Sequence, residues 1–347
     1  MHLPTVGAAL AVALVLFVPP ADAGTTAGTP IQIRSVRQSL FGSCTTGDQE
    51  AWMVGELGRI FHTADGGQTW HRQDAATKRP FLAITCLEPG HAWVAGKEGI
   101  VYETRDSGAS WKKVDTGSAR HVFALQFANA QRGHGVGDYG TMIHTEDGGA
   151  SWTVDRVPDR VVLPEMALDM GVEPGDVNLY GLSYGSADRA WTVGEFGIIM
   201  ASTDGGLTWG QQRGPFESTL FGVYFADAQR GWAVGIDSVI LRTEDGGITW
   251  AVESSPVRQR SFYDVVVEGQ HGWIVGDSGT VLRTNDGGAT WTLHPLPIEL
   301  AANWIRSVWL RDGGSGLAVG ADGLIFRLDG TRFERITGQQ AGRKGSS

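Results

Sequence analysis

Acidic side chains set beside glycines are the first residues in this chain whose types and spacing could do chemistry. Six aspartates, Asp65, Asp106, Asp147, Asp204, Asp245 and Asp286, follow one another at intervals of 41, 41, 57, 41 and 41 residues. Each sits in the pattern Thr/Ser-x-Asp-Gly/Ser-Gly-x-Thr/Ser-Trp, as in Thr63 to Trp70. Paired carboxylates can serve as acid and base in glycoside hydrolysis, so a catalytic role has to be weighed. One residue repeated at equivalent turns fits hairpin chemistry better. The Asp accepts backbone N–H bonds, the glycines supply positive φ, and the Ser/Thr hydroxyl bonds locally. The six aspartates are therefore read as structural. The chain has no His-x-x-x-His, no Cys-x-x-Cys and no Gly-x-x-x-x-Gly-Lys-Ser/Thr phosphate loop. His62 and His144 occupy equivalent places and are read as packing residues. No catalytic residue, metal or cofactor is expected.

The elements that carry these turns repeat with them. A degenerate seventh copy ends in Phe333 in place of Trp, and upstream of each box lies a second motif such as Gly231-Trp-Ala-Val-Gly235. Each unit reads as four short strands with period-two alternation. In the fifth these are 220–225, 231–235, 239–243 and 248–253. A four-stranded sheet alone has open edges and apolar faces, so the units must stack. An all-β, seven-bladed propeller with Asp-box hairpins follows. The blades begin near residues 40, 81, 122, 179, 220, 261 and 304. This ring accounts for 11 of the 13 Trp, leaving Trp304 and Trp309 on the first strand of unit seven. His134 and Leu317 replace the second-strand Trp in units three and seven.

With 50 Gly in 347 residues, Gly is about twice as frequent as usual, as many tight turns require. The net charge of −10 argues against nucleic acid as the main partner. Residues 1–23 read as a signal peptide: an apolar run from Gly7 to Val18, then Pro19-Pro20 and a small-residue site before Gly24. The mature chain is expected to be soluble and exported, as a monomer. Residues 24–337 form one propeller, and 338–347 a flexible C-terminal tail.

Departures from the repeat are the candidates for function. On one face the turns between second and third strands bring Glu56, Glu98, Asp138, Glu195, Asp237, Asp277 and Asp322 around the channel mouth. The inter-blade loops add Arg37, Arg79, Arg120, Arg260 and Arg306. This mixed ring could recognise a charged protein segment, or be solvated turn chemistry. Arg132, Arg189 and Arg230 recur on the opposite face. The insertion at 158–176, with Met166 and Met170, could be a binding contact or a loop packed on its own ring. Cys44 and Cys86 lie one residue out of register on adjacent innermost strands, so they face one another or point apart. Export permits a disulfide. Closure can use the outer strand 332–336 of unit seven, but residues 31–36 are strand-like and are expected to contribute there as an amino-terminal clasp.

The combination of a signal sequence, seven Asp-box units and the unit Gly-Trp-x-Val-Gly…Gly-x-Ile/Val-x-x-Thr-x-Asp-Gly-Gly-x-Thr-Trp resembles the photosystem II stability/assembly factor family. The resemblance spans about residues 31–337. It implies a non-enzymatic lumenal or periplasmic propeller that binds membrane-protein precursors or their partners, such as the new D1 subunit in photosynthetic members. The alternatives are a carbohydrate-binding propeller or a sialidase-like glycosidase. Sialidases add a Phe/Tyr-Arg-Ile-Pro motif, which this chain lacks. Asp-box xyloglucan hydrolases need a cleft between two propellers.

Overall fold

Four short strands joined by glycine turns can only fold antiparallel and in sequence, and the chain does this seven times. The computed structural model describes residues 28–310 and 314–336; the expected signal peptide (1–23) and tail (338–347) lie outside them. The first blade runs Leu40–Thr46, Glu50–Gly55, Ile60–Thr63 and Trp70–Gln73 from the channel outward. The other six sheets likewise hold four consecutive strands each, giving a seven-bladed all-β propeller. Outer strands are short where the box takes up their length. In blade five only Ala251–Val252 pairs, because Ile248 belongs to the turn and is 77% exposed.

The core lies between the sheets. Second strands such as His91–Gly96 are buried along their whole length. Trp191 and Val193 of blade four pack with Leu220, Val223 and Ala233 of blade five. In blades four and five the second-strand Trp also reaches the next blade's box. The Trp191 Nε1–H donates to the Gly246 carbonyl (3.0 Å) and that of Trp232 to the Gly288 carbonyl (3.3 Å). His134 does the same, its Nε2 lying 3.1 Å from the Gly206 carbonyl. A Cβ on Gly288 would collide with the Trp232 indole, and its φ of +78° is left-handed besides. The box glycines thus make room for the neighbouring blade as well as for their own turn.

Side chains also tie adjacent innermost strands together. Gln126 accepts the Tyr184 N–H (3.0 Å), Ser183 the Phe225 N–H (2.9 Å) and Asp264 the Val308 N–H (2.9 Å). Cys44 and Cys86 are joined by a disulfide between blades one and two, with Cα atoms 5.8 Å apart. Cys44 stands opposite Trp52 and Cys86 opposite Ala92, one place beyond Trp93, which turns the two side chains toward each other.

The seam differs from the expected clasp. Blade seven closes with its own outer strand, Arg332–Arg335. The amino-terminal strand Thr29–Ile31 pairs instead with the outer strand of blade one, Ile31 opposite Trp70. Ile33 and Val36 then wedge between blades one and seven, against Met53, Leu317 and Val319. The Arg327 guanidinium crosses the seam to the Gly66 carbonyl (2.9 Å).

Candidate functional site

The box face is chemically satisfied. In each box the Ser/Thr hydroxyl donates to the Asp and accepts the second glycine's N–H, as Thr284 does toward Asp286 (2.7 Å) and Gly288 (2.9 Å). Asp286 then takes the Thr290 N–H on Oδ1 (2.9 Å) and the Thr290 hydroxyl on Oδ2 (2.6 Å). Those two donors hold Asp286 down to about 2, and the equivalent Ser151 donors do the same for Asp147. Asp65, Asp106, Asp204 and Asp245 carry the same bonds. Such carboxylates are locked anions, unsuited to protonating a leaving group. Nearby, Arg230 pairs with Asp227 (2.8 Å) and Arg132 with Asp188 (3.5 Å). His62 meets the buried Glu50 (2.9 Å) and His144 meets Asp155 (3.0 Å).

On the opposite face the seven turn carboxylates fall into two sets. Each turn has an inner position and, after it, a left-handed one. Glu98, Asp237 and Asp322 hold the left-handed place (φ 58°, 57° and 51°) and are exposed outward. Glu56, Asp138, Glu195 and Asp277 hold the inner place, which in blade two is Lys97. Three of these cap the start of their own blade's innermost strand: Glu56 accepts the Ser39 N–H (3.1 Å), Glu195 that of Asn178 (2.9 Å) and Asp277 that of Ser261 (3.1 Å). Asp138 lies 3.6 Å from His121. Among the arginines, Arg79 pairs with Glu98, and Arg120 lies 4.2 Å over the Tyr139 ring. Arg37 and Arg260 are exposed in inter-blade segments. Arg306 does not lie in such a segment. It is the second residue of the innermost strand Ile305–Leu310 and faces the channel.

That second position is the feature sequence reasoning missed. Every innermost strand carries a β-bulge at its start, between Leu40 and Gly42 in blade one and between Ile305 and Ser307 in blade seven. A bulge re-aims one side chain. Here it sends Phe41, Phe123 and Phe221, the tyrosines 180 and 263, and Leu82 and Arg306 to the mouth. The rings form an arc, with centroids 5.4 Å apart for Phe123–Tyr180, 5.2 Å for Tyr180–Phe221 and 5.6 Å for Phe221–Tyr263. Trp304, just before the strand rather than on it, stacks on Phe41 at 5.8 Å. Together they enclose a cup of about 350 Å³ with Lys97 on its rim. Burial and the Glu195 charge push the Tyr180 phenol up to about 12, so it stays a hydrogen-bond donor, to Glu195 (3.1 Å).

Arg306 donates to the Tyr263 carbonyl (3.1 Å), with its guanidinium carbon 5.6 Å from that ring. Behind it Asp264, where other blades have Gly, Ala or Ser, is pushed by burial up to about 6 against the pull of Val308 and Arg306. An aromatic residue after the strand's first apolar position, in five blades of seven, was visible in the sequence. Its inward aim was not, because strict alternation places it on a blade face.

The insertion is both packed and exposed. Val161, Leu163 and Ala167 are buried against Leu182 and Trp209, and Gln211 hydrogen-bonds both the N–H and the carbonyl of Val162. Met166 (55% exposed) and Met170 (69%), on and just after the short helix Glu165–Asp169, point outward. Among the described residues no helix is long and apolar enough to cross a membrane.

Comparison with known proteins agrees with this architecture. Among solved structures, "YCF48 bound to D1 peptide" is 18% identical, covering 86% of this chain and 96% of that one, with a TM-score of 0.69. YCF48 from Cyanidioschyzon merolae is also 18% identical, over 87% and 99%, with a TM-score of 0.69. An ancestral GH74 enzyme is 12% identical at a TM-score of 0.67, and 90% of this chain covers 48% of that one. At such identities these likenesses speak to fold alone. No curated relative matches the sequence. A family model described as photosynthesis system II assembly factor YCF48 matches residues 20–122, 108–213 and 208–304. Spanning most of the sequence in overlapping segments, that match means the chain belongs to the family of photosystem II assembly factor YCF48.

Proposed function

We propose that this protein is an exported, monomeric, non-catalytic scaffold that binds a protein client at the channel mouth and aids assembly or stability of a membrane protein complex. The observation that carries the reading is the mouth itself, an aromatic arc with Arg306 and Lys97 in its wall, beside carboxylates already bound to the backbone of their own blades. A solved YCF48 carrying a D1 peptide supports a polypeptide as the occupant. The box aspartates, being locked anions, offer no acid–base pair. A pull-down from membranes with the purified protein tests the reading. It should recover a membrane-protein client, and Arg79→Glu, Arg120→Glu and Arg260→Glu together should abolish that capture. Capture unaffected by these changes would sink the proposal. Export is tested separately: the mature protein should begin at Gly24 and fractionate outside the cytoplasm.

The second reading is a carbohydrate-binding propeller, favoured by the same rings, which could stack on sugars. Specific hits on a glycan array would support it. Release of a fluorogenic sugar, abolished by one carboxylate substitution, would support a glycosidase instead.

A further inference from the structure

The charges around the aromatic cup are only partly balanced by the chain itself, Arg306 by the buried Asp264 behind it. Glu56, Glu195 and Asp277 already hold backbone N–H groups of their own blades. The Lys97 ammonium has no hydrogen bond or ion pair among the described residues, although it stands where four blades carry an acid. The Arg306 guanidinium has five N–H donors and makes one hydrogen bond there, to the Tyr263 carbonyl. Asp264 cannot serve as its full partner, since both carboxylate oxygens hold backbone N–H groups, of Val265 and Val308 (both 2.9 Å). Two cations therefore line a cup whose other walls are aromatic or aliphatic.

We propose that the cup receives one apolar side chain of the client with a carboxylate next to it, the rings taking the side chain and Arg306 with Lys97 taking the carboxylate. The inference rests on the reading of the mouth as the client-binding face. The volume of about 350 Å³ suits one large side chain with its flanking backbone, at the lower end of ordinary ligand pockets. An aromatic occupant meets ring edges and faces of the Tyr180–Phe221–Tyr263 arc. The carboxylate completes a charge-assisted contact with a guanidinium that already has low-dielectric walls around it. A cationic or purely apolar segment lacks that second contact.

The probes are three capped dipeptides, acetyl-Phe-Asp-amide, acetyl-Phe-Asn-amide and acetyl-Gly-Asp-amide, titrated against the full chain by ligand-observed NMR. The Phe-Asp probe should bind about fivefold tighter than Phe-Asn, the scale of one partly exposed ion pair, and Gly-Asp should bind weakest. Lys97→Gln, an exposed change that leaves the core intact, and Arg306→Met should each bring the Asp/Asn ratio toward one. Phe221→Ala should weaken both Phe probes alike. Equal binding of the Asp and Asn probes, a ratio unchanged in both cation variants, or no binding of any probe overturns the inference. If the probes fail while the arginine changes still abolish client capture, only this inference falls. If client capture ignores the arginine changes, the proposed function falls first.

Discussion

Reducing the Cys44–Cys86 bond should destabilise the protein by about 4 kcal/mol without altering its fold. The bond closes a loop with a sequence separation of 42 residues. Loop-closure entropy for that length is about 13 cal/mol/K, which at 25 °C is the quoted free energy. The sulfurs sit at the inner ends of blades one and two, next to the seam with blade seven that no shared strand crosses. Urea unfolding followed by Trp fluorescence, with and without a phosphine reductant, gives the difference from midpoint and slope. A Cys44→Ala, Cys86→Ala double variant should match the reduced wild type to within about 1 kcal/mol, the cost of deleting one buried and one half-buried sulfur. Intact mass after denaturing alkylation without reductant should show no added alkyl groups. Two groups added under those conditions, or identical midpoints with and without reductant, would refute the reasoning.

Three further outcomes are expected. His134 is lowered to about 4, burial being the main cause and the neighbouring His144 charge the next, so its stability is full above pH 6.5 and lost as pH falls toward 4. Asp264, raised to about 6, works oppositely, stabilising the fold as pH falls from 6 toward 4. Each is on the order of 3 kcal/mol at most, so the wild type should be nearly flat over this window, whereas a His134→Gln variant should gain stability on acidification; parallel urea-midpoint profiles would contradict the assignment. Gly288→Ala should cost about 3 kcal/mol through its collision with Trp232 and its left-handed φ, while Gly269→Ala, also at positive φ but with nothing within 4 Å, should cost about 1 kcal/mol. Thr284→Val should cost about 1–3 kcal/mol because the buried Gly288 N–H loses its acceptor, and hydrogen exchange at that amide should speed up accordingly.

The architecture was legible because each unit repeats both its turn chemistry and its strand alternation. Asp286, Thr284 and Trp291 announce a hairpin locally, and six such hairpins need a closed ring. The mouth was less legible. The inward and outward sets of turn carboxylates, Asp277 against Asp237, differ by one turn position, which composition does not distinguish. The aromatic arc depends on bulges that break alternation without a sequence mark of their own. Arg306 was assigned to an inter-blade loop although Trp304 and Trp309 on either side of it were read onto the first strand of unit seven. The amino-terminal strand went to blade one rather than blade seven because Arg332–Arg335 already filled the edge where it was expected. Ile31 found the outer side of Trp70 instead.

Closure without a shared strand has a consequence for how such a ring can change. Among the described residues every sheet is complete within one stretch of chain, and side-chain packing and the Arg327 bridge to Gly66 join blades seven and one across the seam. A tandem duplication or deletion of one 41-residue unit therefore cuts no sheet. New termini opened in any inter-blade loop would likewise leave all blades whole. In a ring closed by strand exchange, the closing blade is instead divided between the two ends of the chain. Here blade number is free to drift in inheritance, restrained only by the angles at which neighbouring blades pack.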